Sequence, residues 1–323
     1  MNADNKKKVD QAVEFYLKRF KDRLNGTRRK KPHTVEVYMG IARDFLEWVG
    51  KAEGINADDV SNYIAYLRNQ GQAEVTLKGK MSRLKKLNSI CGFFEWTFER
   101  EDVPAAPPDY EAVVQTLSPG QMEMLIVAQH KLTEAERFYL ALSTIYGCRR
   151  EAMCQITVRN LTDETVTIPG VKGGRSIKHL MPPVITPVLL AYHPKHHSGA
   201  ALSLMFHRIA GKAGLETPKA FKGQGMGWHS IRRGLTTMAE IFVPRCKDPG
   251  GKDYLPQSVW ADYVGWSKVE KGRHFMGSGM AGHYVHQEAL TRDPYWLDRC
   301  IYAGHPLLKV WKAALRAHPV KKS

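Results

Sequence analysis

A proline-rich segment, Pro104-Ala105-Ala106-Pro107-Pro108, divides the chain into two parts that we expect to form separate domains. Proline lacks the backbone N–H and clashes with the preceding helical turn, so this segment cannot continue a helix and favours an extended linker. The chain has 323 residues, which is more than one hydrophobic core usually serves. We therefore predict an N-terminal domain over residues 1–103, a linker over 104–117 and a larger domain over 118–323.

Apolar residues before the linker recur at the spacing of helical faces. Stripes at three- and four-residue intervals predict two helices. Asn56 with the acidic Asp58 and Asp59 marks the start of a third helix, and Thr76 opens a fourth. The N-terminal domain is thus predicted to be a helical bundle, with the following residues facing its core: Val13, Tyr16, Leu17 and Phe20; Val37, Ile41, Phe45 and Trp48; Tyr63, Ile64 and Leu67; Met81, Leu84, Leu87, Cys91 and Phe94.

The predicted fourth helix carries cations on the side opposite its apolar face. A cationic stripe opposite an apolar one fits a helix that packs on its bundle while facing a phosphate backbone. The same stripe, taken alone, is equally typical of a solvated lysine face. With Arg175 from a later glycine turn, the candidate DNA contacts are Lys78, Lys80, Arg83 and Lys86, and Lys85 lies on the same side.

The charge balance of the whole chain points to a polyanionic partner. Lysine and arginine number 48 against 32 aspartates and glutamates, a net charge of +16. Cations that neutralise phosphates release condensed counterions, which makes nucleic acid the leading candidate. No apolar run of about 18 residues and no basic-then-apolar leader is visible, which disfavours membrane lipid and secretion. The five cysteines are scattered without a C-x-x-C pair, so no disulfide framework and no metal site is expected.

The larger domain is predicted to be mainly helical with one β interruption. Ser118 followed by Pro119 is a typical helix start, with a serine cap and proline in the first turn. Residues 165–169 and 176–181 predict two strands joined by a tight turn at Gly173-Gly174. The expected fold class is therefore mainly α with a small β-sheet: a helical N-terminal domain and a mixed α/β larger domain.

Three short segments carry residues suited to phosphodiester chemistry. Arg149 follows Gly147-Cys148, His229 and Arg232 stand three positions apart, and Tyr284 lies between His283 and His286. Arginine binds phosphate oxygens bidentately, histidine moves protons, and a phenol can attack phosphorus. Each signal is weak alone, because H-x-x-R occurs by chance and Arg149 could equally form a surface salt bridge.

In this order the segments resemble the tyrosine recombinase (phage integrase) family across nearly the whole chain. The family's T-G-L-R box is similar to Tyr146-Gly147-Cys148-Arg149, in a register that selects Arg149 over its neighbour. The H-x-L-R-H-T-F-A-T box resembles residues 229–237, and the hairpin lysine of K-G-x-K/R corresponds to Lys172-Gly173-Gly174-Arg175. The L-G-H/W position is similar to Val264-Gly265-Trp266, and the tyrosine that follows is Tyr284.

The resemblance implies a helical core-binding (SAM-like) N-terminal domain and a catalytic domain that needs no metal and no ATP. The arginines would clamp the scissile phosphate, Lys172 would protonate the leaving 5′ oxygen, and His229 would move protons. Trp266 would position the site, and Tyr284 would form a 3′-phosphotyrosine bond. The implied catalytic set is Arg149, Lys172, His229, Arg232, Trp266 and Tyr284.

Several positions depart from the family pattern and leave alternatives open. The acidic residue expected three places after Arg149 is Ala152, with Glu151 one place earlier. His274 or His283 could replace Trp266, Lys178 is a rival to Lys172, and the spacings up to Tyr284 are longer than usual. The tail helix from Leu307 to Pro319 could dock on its own domain or on another protomer. Rival nucleophiles are Tyr254, Tyr263, Tyr295 and Tyr302.

The resemblance implies a site-specific recombinase or integrase that acts on double-stranded DNA, with no cofactor. Two protomers per site, four per synapse and accessory DNA-bending proteins are the expected partners. The expected location is on DNA in the cytoplasm, nucleoid or nucleus, and not outside the cell. A type IB topoisomerase-like relaxase and a catalytically silent DNA-binding protein of the same fold are the alternatives.

Overall fold

The computed structural model divides the chain into two compact units, residues 1–113 and residues 114–323. Each unit has its own hydrophobic core. Residues 106–114, in the middle of the predicted linker, lie outside the described part, so the linker limits stay a prediction. The structure describes residues 3–26, 32–99, 101–105, 115–171, 176–216, 225–247, 254–255, 257, 259–265 and 293–320.

The first unit is a bundle of helices: α1 (Ala3–Gly26), α2 (Pro32–Val49), α3 (Ala57–Asn69) and α4 (Glu74–Cys91). Helix α1 packs on α2 and α4, and α3 packs on the same two helices. Large side chains from each helix fill the core, because burying an apolar face is what stabilises short helices in proteins. The predicted helical N-terminal bundle is confirmed.

Two helix ends in this unit follow from local chemistry. Asn56 caps α3 by accepting the backbone N–H of Asp59 at 3.1 Å, and the Asp59 carboxylate accepts the backbone N–H of Asn56 at 3.0 Å. Helix α4 begins at Glu74, two residues before the predicted Thr76. It ends at Gly92, whose φ of 72° lies in the left-handed region that favours glycine. Phe94 therefore lies beyond the end of the helix, contrary to the prediction.

The predicted apolar face of α2 is partly wrong. Phe45 is buried, but Val37 and Ile41 are only half-buried and Trp48 is 38% exposed. Trp48 contacts the rings of Tyr63 and Tyr66 at the surface of the bundle, with centroids 5.3 Å and 5.6 Å away. Helical spacing alone therefore does not place this aromatic residue in the core. The side chains of α2 that are buried are Val35, Ala42, Phe45 and Leu46.

The second unit is built around one central helix, α6, which is buried on all sides from Phe138 to Tyr146. Helix α6 is buried along nearly its whole length and contacts α5, α8, α9, α10 and α13, as expected for a helix at the centre of a core. None of the described helices is both long and apolar enough to span a membrane. The elements are α5 (Pro119–Val127), α6 (Glu134–Tyr146), α7 (Arg150–Met153), β1 (Thr165–Ile168), β2 (Ile177–Leu180), α8 (Thr186–Leu190), α9 (Gly199–Lys212), α10 (Trp228–Phe242), α11 (Val259–Tyr263), α12 (Trp296–Gly304) and α13 (Pro306–Ala317).

Strands β1 and β2 form an antiparallel hairpin. Thr165 pairs with Leu180 and Ile168 pairs with Ile177. The Ser176 hydroxyl accepts the backbone N–H of Gly170 at 2.9 Å, which extends the pairing toward the turn. The predicted two strands, and with them a mainly α fold with a small β-sheet, are confirmed.

The C-terminal helix docks on its own unit. Trp311 of α13 is fully buried, and its indole N–H donates to the Thr144 hydroxyl of α6 at 3.0 Å. The side-chain amide of Gln129 donates to the carbonyls of Ala314 at 3.2 Å and His318 at 2.9 Å, which satisfies the helix end. Of the two alternatives for the tail, docking at home is the one observed in this single chain.

Candidate active site

Arg149 and Arg232 line the same cleft of the second unit although they are far apart in sequence. Arg149 directly precedes α7, and Arg232 lies on α10, one helical turn after His229. The β1–β2 hairpin, the end of α11 and residues around the α6–α7 junction form the rest of the cleft. Its lining from these elements includes Ile168, Pro169, Gly170, Val171, Ile177, His179, Tyr263 and Val264.

Backbone carbonyls hold the Arg232 guanidinium in place. One of its Nη atoms donates to the Gly147 carbonyl, and the other donates to the Val264 carbonyl at 3.5 Å. Gly147 ends α6 with a φ of 57°, and a Cβ there would lie 3.4 Å from Leu235 and 3.5 Å from Val264. Glycine thus lets α6 end where its last carbonyl meets the arginine.

Burial makes the positive charge of Arg232 costly. The side chain is only 7% exposed. Burial lowers the pKa of Arg232 to about 10, and the neighbouring Arg149 cation acts in the same direction. The group is still a cation at neutral pH, and two cations share one cleft. Such a cleft favours an anionic ligand that offsets the cost of holding them together.

The two adjacent arginines at the start of α7 have different partners. Arg150 donates to the Ser203 hydroxyl of α9 at 3.0 Å and to the Glu151 carboxylate at 3.3 Å. Its guanidinium also packs against Gly199 at the start of α9, where a Cβ would lie 3.6 Å from it. Arg150 therefore joins α7 to α9, whereas Arg149 is at the cleft. The register that selects Arg149 agrees with this placement.

His229 lies in the first turn of α10 beside a carboxylate. Its Nε2 is 3.7 Å from Oε2 of Glu151. Trp228 anchors the start of the helix, since its buried indole N–H donates to the Leu202 carbonyl at 2.6 Å. Ala152, where the family pattern has an acidic residue, is buried in the cleft wall. The carboxylate near the histidine comes from the preceding residue, Glu151.

Two of the tyrosines that could replace Tyr284 as the nucleophile, Tyr263 and Tyr302, already donate hydrogen bonds to backbone carbonyls. Tyr263 donates to the Ile145 carbonyl at 3.1 Å, and Tyr302 donates to the Leu180 carbonyl at 2.5 Å. Burial raises the pKa of both phenols well above the ordinary value, and the nearby Asp298 carboxylate raises both further. A phenol that resists ionisation and already donates its proton to a carbonyl is a poor nucleophile.

Lys178, the rival to Lys172, projects away from the cleft. Successive side chains of a strand point to opposite faces. Ile177 and His179 of β2 line the cleft, while Lys178 between them is exposed and is not part of its lining. Lys172, Arg175, Trp266 and Tyr284 lie outside the described residues, as do the alternatives His274 and His283.

The cations predicted to contact DNA on α4 differ in their contacts within the protein. Lys78 and Lys86 are exposed, and Lys80 is half-buried. The ion pairs found among the described residues involve none of these three lysines. Arg83 instead donates to the Gly79 carbonyl of its own helix at 2.6 Å and lies over the Tyr38 ring at 5.7 Å.

One buried pair at the cleft was not predicted. Nδ1 of His179, on β2, lies 2.7 Å from Oδ1 of Asp298, on α12. Its only signal in the sequence is a histidine at a position of a predicted strand that alternation places inward. Nothing in the sequence links it to a carboxylate 119 positions away.

Part of the N-terminal unit matches a known family model, and a longer stretch of the chain aligns with one curated protein. The model described as "Phage integrase, N-terminal SAM-like domain" matches residues 17–90. A curated protein named "Tyrosine recombinase", from Pseudothermotoga lettingae, is 27% identical over 161 residues. That alignment covers 46% of this chain and 54% of the relative, so the chain matches about half of the relative's length.

Solved structures of lambda integrase share the fold. A lambda integrase dimer bound to a COC′ core site has a TM-score of 0.55 at 15% identity, covering 83% of this chain and 80% of that one. A lambda integrase tetramer bound to a Holliday junction has a TM-score of 0.55 at 14% identity, with the same coverage. At this identity the likeness shows the fold alone. Together, the family model, the curated relative and the shared fold confirm that the chain resembles the tyrosine recombinase (phage integrase) family, as its motifs predict.

Proposed function

We propose that the protein is a site-specific DNA recombinase of the integrase type, which cuts and rejoins DNA through a 3′-phosphotyrosine intermediate. The observation that carries the proposal is the convergence of Arg149 and Arg232 on one cleft, in the motif order of the tyrosine recombinases. A surface role for these arginines would need no such convergence. The held guanidinium of Arg232, with that of Arg149 in the same cleft, suits the charge that develops on a phosphate under attack.

The two arginines are proposed to clamp the nonbridging oxygens of the scissile phosphate. The carbonyls of Gly147 and Val264 fix the plane of the Arg232 guanidinium before DNA arrives. Arginine stays charged and offers its remaining N–H groups in a planar fork that fits phosphate oxygens. Preorganisation of this kind stabilises the transition state without reorganisation during the reaction.

His229 is proposed to move the proton of the nucleophile or to hydrogen-bond the phosphate. The Glu151 carboxylate supports this role because its Oε2 lies 3.7 Å from Nε2, where a small approach would let it hydrogen-bond and orient the imidazole. Imidazoles in catalytic sites are commonly held by a carboxylate on one ring nitrogen. In this chain Glu151 is proposed to take the role of the acidic residue that the family pattern carries one position later, where this chain has Ala152.

The remaining roles rest on the resemblance. Lys172 is proposed to give the leaving 5′ oxygen its proton, and Trp266 to position the site through packing and its indole N–H. Tyr284 is proposed to attack phosphorus and release the 5′ hydroxyl. The phosphotyrosine bond conserves the energy of the phosphodiester, so rejoining needs neither ATP nor metal.

Double-stranded DNA and further copies of the chain are the proposed partners. The exposed lysines of α4 and Arg175 would contact phosphates, which dominate protein–DNA contacts. Lambda integrase, which shares the fold, has been captured as a DNA-bound dimer and as a tetramer on a Holliday junction. We propose two protomers per site and four per synapse, with accessory DNA-bending proteins as further candidates. Because α13 is buried at home, contacts between protomers would use other segments.

Covalent capture on DNA tests the proposal. A duplex with a nick near the cleavage site releases a short strand after cleavage, so rejoining is blocked and the covalent enzyme is trapped. A library of such duplexes with randomised sequence supplies candidate sites. We expect a covalent adduct with the phosphonucleotide on Tyr284, identified by mass spectrometry. The variant Tyr284→Phe should lose the adduct and keep DNA affinity within about threefold, since only the nucleophile is removed.

The same assay separates the alternatives. Adducts with recombinant product from two trapped sites support recombination, whereas adducts with relaxation of a single plasmid and no recombinant product would indicate a relaxase. DNA binding without any adduct would indicate a silent DNA-binding protein. An adduct that survives Tyr284→Phe would show that another residue is the nucleophile.

A further inference from the structure

His179 and Asp298 form a buried hydrogen-bonded pair at the cleft. Their side chains are only 3% and 6% exposed, and His179 Nδ1 lies 2.7 Å from Asp298 Oδ1. An ionised carboxylate can only accept, so the imidazole Nδ1–H is the donor. The second carboxylate oxygen accepts the backbone N–H of Leu180 at 2.7 Å. Both oxygens of one carboxylate therefore hold neighbouring residues of strand β2.

Strand β2 is held at this point by more than the carboxylate. The Leu180 carbonyl accepts the hydroxyl of Tyr302 at 2.5 Å and lies 3.4 Å from the hydroxyl of Tyr146. Leu180 pairs with Thr165 of β1, so the hydrogen bonds that hold β2 also hold β1. The hairpin is tied in this way to α12 and to α6.

The ring of His179 packs against two tyrosines that lead to the arginines. Its centroid lies 4.9 Å from the Tyr146 ring and 4.9 Å from the Tyr263 ring, and the two tyrosine rings are 6.5 Å from each other. Tyr146 is the last residue of α6 and closely precedes Arg149 in the chain. Tyr263 precedes Val264, whose carbonyl accepts from Arg232. The pair thus contacts the elements that lead to both arginines and the hairpin that completes the cleft.

A stabilising role alone accounts poorly for this arrangement. Burying polar groups costs solvation that their hydrogen bonds only partly offset, and apolar side chains of similar volume often stabilise a core equally well. A hydrogen-bonded pair also fixes the position of strand β2 along α12, because its hydrogen bonds form in only one alignment of the strand with that helix. Asp298 does not line the cleft, and Nδ1 of His179 is engaged by Asp298, so we assign the pair to the geometry of the cleft.

We propose that His179 and Asp298 are positioning residues that hold the β1–β2 hairpin in register against Arg149 and Arg232. The inference rests on the proposed function, because it assigns the pair to the geometry of the cleavage site. Loosening the pair should leave DNA binding intact and slow cleavage, since displacement of a reacting group by about 1 Å can cost about 10²-fold in rate.

Three variants test the proposal. The double variant His179→Phe/Asp298→Asn keeps a ring against the two tyrosines and an acceptor for Leu180, but it removes the pair without leaving a buried charge. His179→Asn is the conservative variant, because its side-chain amide can donate from the position of Nδ1. Glu136→Gln is the matched control, since Glu136 is another buried carboxylate, 2% exposed, which accepts from Lys212 and Arg208 away from the cleft.

Single-turnover cleavage, DNA affinity and hydrogen exchange are measured on the full chain. In the double variant we expect cleavage to fall by about 10²-fold with affinity within about threefold, and exchange at residues 165–171 and 176–181 to rise. His179→Asn should recover most of the rate. Glu136→Gln should keep the rate and the hairpin's protection, even where its melting temperature falls as far as that of the double variant.

The outcomes separate the inference from the proposed function. Unchanged exchange at the hairpin in the double variant would overturn the inference whether or not the protein cleaves DNA. Increased exchange with an unchanged cleavage rate, or an equal rate loss in Glu136→Gln, would also overturn it. If the wild-type chain forms no adduct but the double variant alone loosens the hairpin, the proposed function fails while the pair's control of cleft geometry is supported.

Discussion

The cations of α4 and those of the cleft carry the same charge but differ in exposure to solvent and in how firmly they are held. Lys78 and Lys86 are exposed to solvent, whereas Arg232 is 7% exposed and held by two backbone carbonyls. Exposed cations are screened by salt and tolerate many positions of a phosphate. A buried, oriented guanidinium acts over a short range in one geometry. Under the proposed function, we therefore expect α4 to contribute affinity for DNA and the cleft to contribute the chemistry.

The largest effect is expected from Arg232. Replacing it with lysine keeps the charge but loses the planar fork and the paired carbonyl contacts, so single-turnover cleavage should fall by about 10³-fold. The measurement is covalent adduct formation on the trapped duplex. The neighbouring Arg233 is exposed, and Arg233→Lys should cleave normally. Equal rates for the two variants would break the distinction between buried and exposed cations.

The buried His305 tests how burial of a titratable group makes the stability of the fold depend on pH. The side chain is 1% exposed, and burial lowers the pKa of His305 to about 4. In the unfolded chain His305 is protonated as the pH falls below its ordinary pKa of about 6.5, whereas in the folded chain it is protonated only near pH 4. Stability is thus full above that ordinary pKa and declines as pH falls. We expect a loss of about 3 kcal/mol over this window, absent in His305→Leu.

Urea unfolding of both proteins across that pH range measures the difference. The exposed His193 provides the control, because His193→Leu should follow the wild-type pH dependence. Parallel curves for the wild type and His305→Leu would show that His305 titrates normally and that its burial has no electrostatic consequence.

Lys172 tests whether the hairpin turn supplies the proton of the leaving group. Lys172→Ala should slow cleavage by about 10²-fold, the usual contribution of a general acid. A substrate with sulfur in place of the bridging 5′ oxygen should restore the rate, because a thiolate leaves without a proton. Lys178→Ala, which alters the face of β2 away from the cleft, should cleave both substrates normally. Failure of the sulfur substrate to rescue Lys172→Ala would exclude the acid role.

The smallest effect is expected on α4. Replacing Lys78, Lys80 and Lys86 with glutamine should weaken DNA binding by about tenfold and lower the salt slope by about one for each phosphate that is no longer neutralised. The cleavage rate at saturating DNA should not change. Arg83→Gln should do less, because Arg83 already binds Gly79 and packs on Tyr38. An unchanged salt slope in the triple variant would show that the stripe is a solvated face.

Features set by neighbouring residues could be predicted from the sequence. The cap of α3 uses hydrogen bonds between Asn56 and Asp59, three positions apart, and the start of α5 uses Ser118 and Gln121 in the same way. The two strands follow from the β pattern of residues 165–169 and 176–181, whereas the predicted turn at Gly173-Gly174 lies outside the described residues. These interactions are local, so the residues that make them are visible together in the chain.

Features set by packing could not be predicted with the same success. The helical pattern of α2 is compatible with more than one buried face, and contacts with α1, α3 and α4 select the one with Val35 and Leu46 inside and Trp48 outside. The end of helix α4, in contrast, is set locally, since the left-handed Gly92 and the Asn88 side chain, which hydrogen-bonds the backbone of Phe94, end the helix before Phe94. Helical periodicity fixes spacing but not which stripe meets a partner.

The chain alone, without its fold, was enough to indicate the charge, the helical bundle, the hairpin and the order of the motifs that resemble tyrosine recombinases. Folding in three dimensions was needed to bring Arg149 and Arg232 to one cleft, to direct Arg150 to α9, and to join His179 to Asp298. These relations depend on contacts between residues tens of positions or more apart in the chain. Such contacts form when apolar faces bury against each other, and no local pattern records which distant side chains then meet.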